Sequence, residues 1–405
     1  MKWKSRITYV MLGVTLTFVS CVDDNSIYKG KVPEYTADLI VPQGFGWSVA
    51  RNVSFSVQSP KTSVVSIYST PECSENSLLA ILPVSSQATQ VTLYVADASE
   101  AVYIQYPVKD GKKAVLTKTL DPITRAEKPL VLPEDIEAVE VTPGHNDLMT
   151  LRTSGMVAFE DNWPELGDYD MNDLVASYII DTHIADLSAA PEAKEREGIS
   201  VALYIHAIGG VKPASFGVKF DRIPAKYVSK VITADSPEGL TVRLANDVAH
   251  MDEDAVIIVS GLEKLKNGKL FYNTESAPSA GSYAPAVWIQ LSVSNEDVLH
   301  YAYNSYNQNF FITTLEGREI HLKGYEPSFL YPEERIEYCS PDGFVWGMKL
   351  PSGFAYPIEK TDILKCYDGF ADWVLSGGAR NADWYKTPNG NVITPTAVQE
   401  IGVQH

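Results

Sequence analysis

From Ala37 onward the chain breaks into short runs in which apolar and polar residues alternate, and that period of two limits what it can fold into. Val53, Phe55 and Val57 alternate with Ser54 and Ser56, and Val65, Ile67 and Ser69 with Ser66 and Tyr68. Val91–Val95 and Val102–Tyr106 follow in the same manner. Alternate side chains of a strand point to opposite faces, so such runs describe strands with one face buried. Pro, Ser and Gly turns separate them, which predicts a β-sandwich over residues 37–120.

Residues 121–149 carry Pro122, Pro129, Pro133 and Pro143 among acidic residues and read as an extended linker. A second domain is expected over 150–395, with longer strands at Leu174–Ile184, Ile199–Ala207, Ala214–Phe220, Ala255–Val259 and Val287–Val293. Within it Ile363, Tyr367, Phe370, Trp373 and Val374 recur at helical spacing, and Gly377-Gly378 supplies a stop. The expected fold class is therefore mostly β. An N-terminal β-sandwich precedes a larger β-rich α+β domain with one substantial C-terminal helix over Thr361–Ser376.

The N-terminus is read as a targeting segment. Lys2, Lys4 and Arg6 form a basic head, and Val10–Val19 is an apolar run too short to span a bilayer. It ends Phe18-Val19-Ser20-Cys21, a small residue before a cysteine, the pattern of a bacterial lipoprotein signal. On that reading residues 1–20 are removed, Cys21 is acylated and 21–36 form a polar tether. An ordinary secretory signal with an incidental cysteine is the alternative. Removing three cations from a net charge of −18 leaves −21. So acidic a chain does not seek nucleic acid through its overall field. The lipid would anchor it to the membrane, which places it as an outer-membrane lipoprotein facing the cell surface. With Cys21 acylated, Cys73, Cys339 and Cys366 remain, enough for one disulfide at most.

The strongest chemical signal lies between two strand-like runs, in Phe159-Glu-Asp-Asn-Trp-Pro-Glu-Leu-Gly-Asp-Tyr-Asp-Met-Asn-Asp-Leu-Val175. Asp161, Asp168, Asp170, Asn172 and Asp173 crowd oxygen-bearing side chains into one loop, and Asp168, Asp170 and Asn172 alternate. Carboxylates this close repel unless a cation or well-placed donors neutralise them. Ca²⁺ takes six to eight oxygens at about 2.3–2.6 Å in irregular geometry. Two readings fit: a structural Ca²⁺ loop, or a loop whose Asp and Asn side chains cap its own amides in Asx turns. It is not an EF-hand, because the sixth position counted from Asp168 is Asp173 rather than Gly and the twelfth is Ile179 rather than Glu. Gly167 is expected to turn the backbone sharply before Asp168.

With these residues in hand the chain resembles the Bacteroidetes lipoproteins carrying an LruC-type domain (DUF4842). The resemblance rests on Ala158–Val175, on Pro327 and Gly343–Glu359, and on Tyr367–Gly378 with Asn381–Tyr385. Met171 stands where the family often has Phe, and Val345-Trp346 where it often has a prolyl-tryptophan. The acidic run Val-Asp-Asp-Asn after Cys21 is similar to the surface-export signals of such lipoproteins. The resemblance implies an acylated, envelope-located, mostly β protein without a settled activity. Its acidic motif is similar to calcium loops.

The remaining candidates are weaker. Trp346, Trp384 and Tyr385 could form a ligand platform that stacks sugar rings, or could simply pack the helix onto a sheet. His206 lies on the face opposite Val201, Leu203 and Ile205, which predicts exposure to solvent. No His-x-x-x-His, Gly-x-Ser-x-Gly or phosphate-binding glycine loop occurs, so no catalytic residue is assigned. The expected function is non-catalytic binding or adhesion toward an extracellular partner. A subunit or anchor of a fimbria-like assembly is one alternative. A carbohydrate-capture protein or glycoside hydrolase is the other.

Overall fold

The computed structural model describes residues 33–398 except 121–127, 142–146, 186–193, 195, 234–238, 304–307 and 332–335. The signal segment 1–20, Cys21 and most of the tether lie outside the described residues. The alternating runs of the first half form β1 (Ala50–Gln58), β2 (Ser63–Tyr68), β3 (Leu78–Val84), β4 (Thr89–Ala96), β5 (Ala101–Val108) and β6 (Lys112–Thr119). A short β7 (Leu130–Val131) comes from the expected linker. β1 pairs antiparallel with β4 and parallel with β7. Val53, Phe55 and Val57 of β1 face Val65 and Ile67 of β2, Val91 and Leu93 of β4, and Val102 and Ile104 of β5 in one apolar core. Leu132 and Ile136 also enter that core, so the expected linker is packed where it is described.

The long strands of the second half are β8 (Leu148–Phe159), β9 (Leu174–Ala185), β10 (Gly198–Ala207), β11 (Pro213–Pro224), β12 (Val228–Thr233), β13 (Thr241–Leu244), β14 (Asp254–Ser260), β15 (Ala286–Val293), β16 (Gln308–Thr314), β17 (Glu319–His321) and β18 (Gly347–Leu350). β8 runs beside β9 along its whole length. Its other edge is shared: Ala80 and Ile81 of β3 pair with Leu151 and Thr150, then β18 pairs with Met156–Phe159. One ten-stranded sheet, β12-β15-β10-β9-β8-β3-β2-β5-β6 with β18 on β8, therefore crosses the expected domain boundary. The described residues fall in one compact unit.

A second sheet, β13-β14-β11-β16-β17, covers one face of the first. Phe216 and Val218 of β11 and Phe310 and Ile312 of β16 pack there on Val201, Leu203 and Ile205 of β10. On the opposite face Ala202 and Tyr204 of β10 meet Ala284, with Trp288 and Val398 alongside. β10 is thus buried at every residue, because both of its faces are covered. β15, nearer the edge, keeps strict alternation.

The C-terminal block caps one end of this sheet. The helix is shorter than the sequence predicts. Asp362 accepts the Leu364 amide at 2.8 Å and starts a single 3-10 turn, Ile363–Lys365, after which α3 runs from Asp368 to Leu375. Two other short helices, α1 (Leu262–Leu265) and α2 (Glu296–Tyr303), precede it. Residues 39–49, expected at the start of the sandwich, instead dock on α3. Phe45 and Trp47 lie edge-on to Trp373, with ring centroids 4.8 and 5.8 Å away. Among the described residues no helix is long and apolar enough to cross a membrane. Cys73, Cys339 and Cys366 are free thiols, the last buried.

Candidate metal centre

The acidic loop joins β8 to β9, as its flanking runs predict. Tyr169 and Met171 adopt left-handed φ of 57° and 51°, rare for residues with a Cβ. Both side chains are buried in the C-terminal block with Phe344, Val345 and Ile363, which holds the backbone there. The loop's polar side chains are thereby separated from its apolar ones. Gly167 has no left-handed φ. A Cβ there would sit 2.1 Å from Glu160 Oε2, so the position needs glycine for close approach and not for its turn.

Glu160, Asp168 and Asp170 each bring a carboxylate oxygen within 4.8 Å of the other two. Glu160 is fully buried and Asp170 nearly so, while Asp168 faces solvent. One Glu160 oxygen accepts the Met171 amide at 2.6 Å, and Oε2 is buried with no partner. Asp170 accepts the Asn172 amide at 3.1 Å and the Lys360 amide at 2.7 Å. Asn172 donates to Pro357 O at 3.1 Å, and its Oδ1 is likewise buried without a partner. Among the described residues no lysine or arginine forms an ion pair with the three carboxylates. Lys212 and Lys266, near the neighbouring Asp161, donate to Asn162 Oδ1 and Gly210 O.

Burial, then the charges of Asp173, Asp170 and Asp168, holds the Glu160 carboxyl well above its ordinary range. Asp170 is pushed up to about 8 by burial and then by Asp168. Asp173 is raised by burial and then by Asp161, and Asp168 is raised chiefly by burial. The physical cause is common to all four: like charges sit together in a poorly solvated place.

Of the residues expected from sequence, Asp168 and Asp170 belong to the cluster, and Asn172 lies beside it with a free buried oxygen. Asp161 and Asp173 do a different job. Asp173 Oδ2 accepts the Asp161 amide at 2.7 Å, and Asp161 Oδ2 accepts the Lys212 amide at 2.9 Å. The capped-loop reading therefore describes Asp161, Asp173 and part of Asp170, but it leaves Glu160 Oε2 and Asn172 Oδ1 unexplained. Glu160 was missed from sequence. Its signal was a carboxylate directly following the apolar run Val157-Ala158-Phe159, at a position that strand continuation would bury. Oxygens within 4.8 Å of one another fit around one ion whose ligand distance is about 2.3–2.6 Å, since ligands across such an ion lie up to about 5 Å apart.

The loop is closed from outside by segments distant in sequence. Gly209 and Gly210 donate to Asn172 O and Asp173 O at 2.9 and 3.1 Å. Ile363 donates to Tyr169 O at 2.8 Å. Glu359 joins the acidic surroundings and accepts the Thr274 hydroxyl at 2.9 Å.

The structure places Trp346, Trp384 and Tyr385 inside the molecule, each at most 3% exposed, so they present no face on which a sugar ring could stack from solvent. Trp384 packs on Phe370 and Trp373, and Trp346 Nε1 donates to Glu165 O at 2.8 Å, bracing the acidic loop. His206, expected in solvent, is 1% exposed because the C-terminal block covers its face of the sheet.

Comparison with known proteins agrees with this architecture. A crystal structure described as a "Putative lipoprotein from Bacteroides ovatus" superposes with a TM-score of 0.67 at 23% identity, covering 82% of this chain and 99% of that one. At that identity the likeness shows a shared fold. The major pilin subunit BcpA of Bacillus cereus also aligns, at 8% identity over 67% of this chain and 66% of that one, but its TM-score of 0.13 carries no argument. No curated protein matches the chain. Residues 197–385 match the family described as "Domain of unknown function (DUF4842)". The match begins after the acidic loop and includes the segments 209–212 and 357–363 that close over it. Over these residues the chain is similar to the DUF4842 family.

Proposed function

We propose that this is an envelope-anchored lipoprotein of non-catalytic binding or adhesion type, whose 160–173 loop is stiffened by a structural Ca²⁺. The observation that carries the metal is the fully buried Glu160, with one carboxylate oxygen unpaired beside Asp168 and Asp170. Buried polar atoms are nearly always satisfied, and an unpaired carboxylate oxygen among like charges is costly. Glu160, Asp168 and Asp170 would hold the ion, with Asn172 Oδ1 close by and water on the exposed Asp168 side. The hard oxygen set suits Ca²⁺ or Mg²⁺ rather than a soft metal, and the irregular loop favours Ca²⁺. The lipid anchor rests on Ser20-Cys21 and is supported by the description of the Bacteroides ovatus protein. Outer-membrane location and a surface-facing orientation belong to the same reading. With the C-terminal aromatics buried, the carbohydrate alternative loses its sequence support.

Equilibrium dialysis tests the metal. One Ca²⁺ per chain is expected in the presence of excess Mg²⁺, with loss of binding in Glu160→Gln and Asp170→Asn. Absence of stoichiometric Ca²⁺ in the folded wild type would overturn the metal. For the anchor, Cys21→Ala should abolish incorporation of radiolabelled palmitate and release the protein from the membrane fraction; unchanged labelling would refute it.

A further inference from the structure

The face of β8, β9 and β10 turned away from the second sheet carries a cavity of about 280 Å³ beneath residues 394–398. Its lining is mainly apolar, with Met156, Ile179 and Tyr204 on the sheet side and Pro395 and Val398 on the other. Several polar side chains interrupt it, among them Ser177, His206 and Thr396. Ser177 Oγ lies 2.6 Å from His206 Nε2, across the β9–β10 pair. His206 is 1% exposed, and its Nδ1 has no hydrogen-bond partner. Thr396 Oγ1 on the opposite wall is also buried without a partner.

Buried donors and acceptors are almost always paired, so two orphans on one cavity call for a ligand atom or water. The Ser177–His206 pair can meet either kind of group. With Ser177 donating to Nε2, Nδ1 carries the proton and donates. With Nε2 donating to Ser177, Nδ1 accepts and the hydroxyl is free to donate. The walls also set the charge. Arg152 at the rim is occupied by Asp181 at 2.7 and 2.8 Å and by Glu75 at 2.7 Å, so among the described lining residues no cation is free for an anionic ligand. An unpaired charge in an apolar cavity is strongly disfavoured.

We infer that this cavity binds a small, neutral, largely apolar molecule with one hydroxyl or carbonyl group, held at the Ser177–His206 pair. Mostly apolar, pre-formed pockets with a few convergent polar groups are the usual form of small-molecule sites. The site uses none of the acidic-loop residues, so it stands or falls apart from the Ca²⁺ reading.

Saturation-transfer NMR and fluorescence titration of the Ca²⁺-supplemented protein with 2-naphthol and with 1-octanol test it. Saturable binding of at least one probe is expected. Ile179→Trp and Thr396→Trp, which fill the cavity from opposite walls, should each weaken it about tenfold, and Ser177→Ala about fivefold. The anionic 2-naphthoate should bind about tenfold more weakly than 2-naphthol. Circular dichroism separates a filled cavity from a misfolded variant, and two filling positions guard against one failing to fold. No saturable binding of either neutral probe would overturn the inference. So would binding unchanged in both filling variants, or equal affinity for the naphthoate.

Discussion

Removing divalent cations should make the protein less stable as pH rises from 6.5 to 8, the opposite of an ordinary carboxylate-stabilised fold. Asp170 titrates at 3.8 in an unfolded chain and at about 8 in the folded one, through burial and then the charge of Asp168. A carboxyl raised on folding binds its proton more tightly in the native state. Its contribution is therefore fully present below pH 3.8 and is lost as pH climbs through 8. Each tenfold gain in proton affinity is worth about 1.4 kcal/mol. Asp170 alone accounts for roughly 6 kcal/mol across that window, of which about 2 kcal/mol falls between pH 6.5 and 8. Glu160 and Asp173 are raised too and act in the same direction. Typical domain stabilities are about 5–15 kcal/mol, so a contribution of that size decides whether the fold survives without a cation.

Bound Ca²⁺ should change the sign, because it would compete with protons for the same oxygens and bind better as they ionise. Urea unfolding in EDTA at pH 6.5, 7.2 and 8.0, repeated in millimolar Ca²⁺, gives both halves. The midpoint in EDTA should fall with pH, and the gain from Ca²⁺ should grow. Asp170→Asn should flatten the EDTA slope. A midpoint in EDTA that is flat or rises over this range would refute the electrostatic reasoning.

His206 acts in a separate window. Burial lowers its pKa from 6.5 to about 4, so stability present above 6.5 is lost as pH falls toward 4, by about 3 kcal/mol. His206→Gln should remove that loss, read as the difference between wild-type and variant unfolding at pH 7 and 4.5. Gly209→Ala would place a Cβ 2.0 Å from Asn172 Oδ1 and 3.0 Å from its backbone oxygen. A cost of about 1–3 kcal/mol is expected in thermal melts, together with a smaller Ca²⁺-induced rise in Tm. Trp373→Ala removes a fully buried ring set among Phe45, Trp47, Phe370 and Trp384. It should cost about 3–5 kcal/mol in denaturant unfolding.

Local features were legible in the sequence. Alternation located β1, β2, β4 and β5, and the acidic run fell between two strands as its flanks required. Helical spacing around Phe370 and Trp373 found the correct buried face, although Asp362 capping a separate turn shortened the helix. What escaped was non-local. Nothing in the period of β8 says that its first half pairs with β3 and its last with β18, because pairing partners leave no trace in one strand's pattern. The same gap explains His206: alternation reports two faces, but not that both are covered. Glu160 was hidden because its role depends on Gly167 approaching within contact, a tertiary fact.

The closure of the acidic loop fixes where the molecule should yield first. Residues 357–363 cross the loop through the amides of Lys360 and Ile363 and lead directly into α3, on which Phe45 and Trp47 rest. Repulsion among Glu160, Asp168 and Asp170 pushes against this cover, whereas β10 is packed on both faces and far costlier to open. Local opening follows the segments with the weakest net contacts. In EDTA at pH 8, amide hydrogen exchange should therefore accelerate at Lys360, Met171 and Ile363 by about tenfold or more relative to Ca²⁺-supplemented protein, with β10 changed much less. Uniform acceleration across β10 and the loop would mean that the cluster's repulsion is carried by the whole fold, and that the C-terminal block is no separate cover.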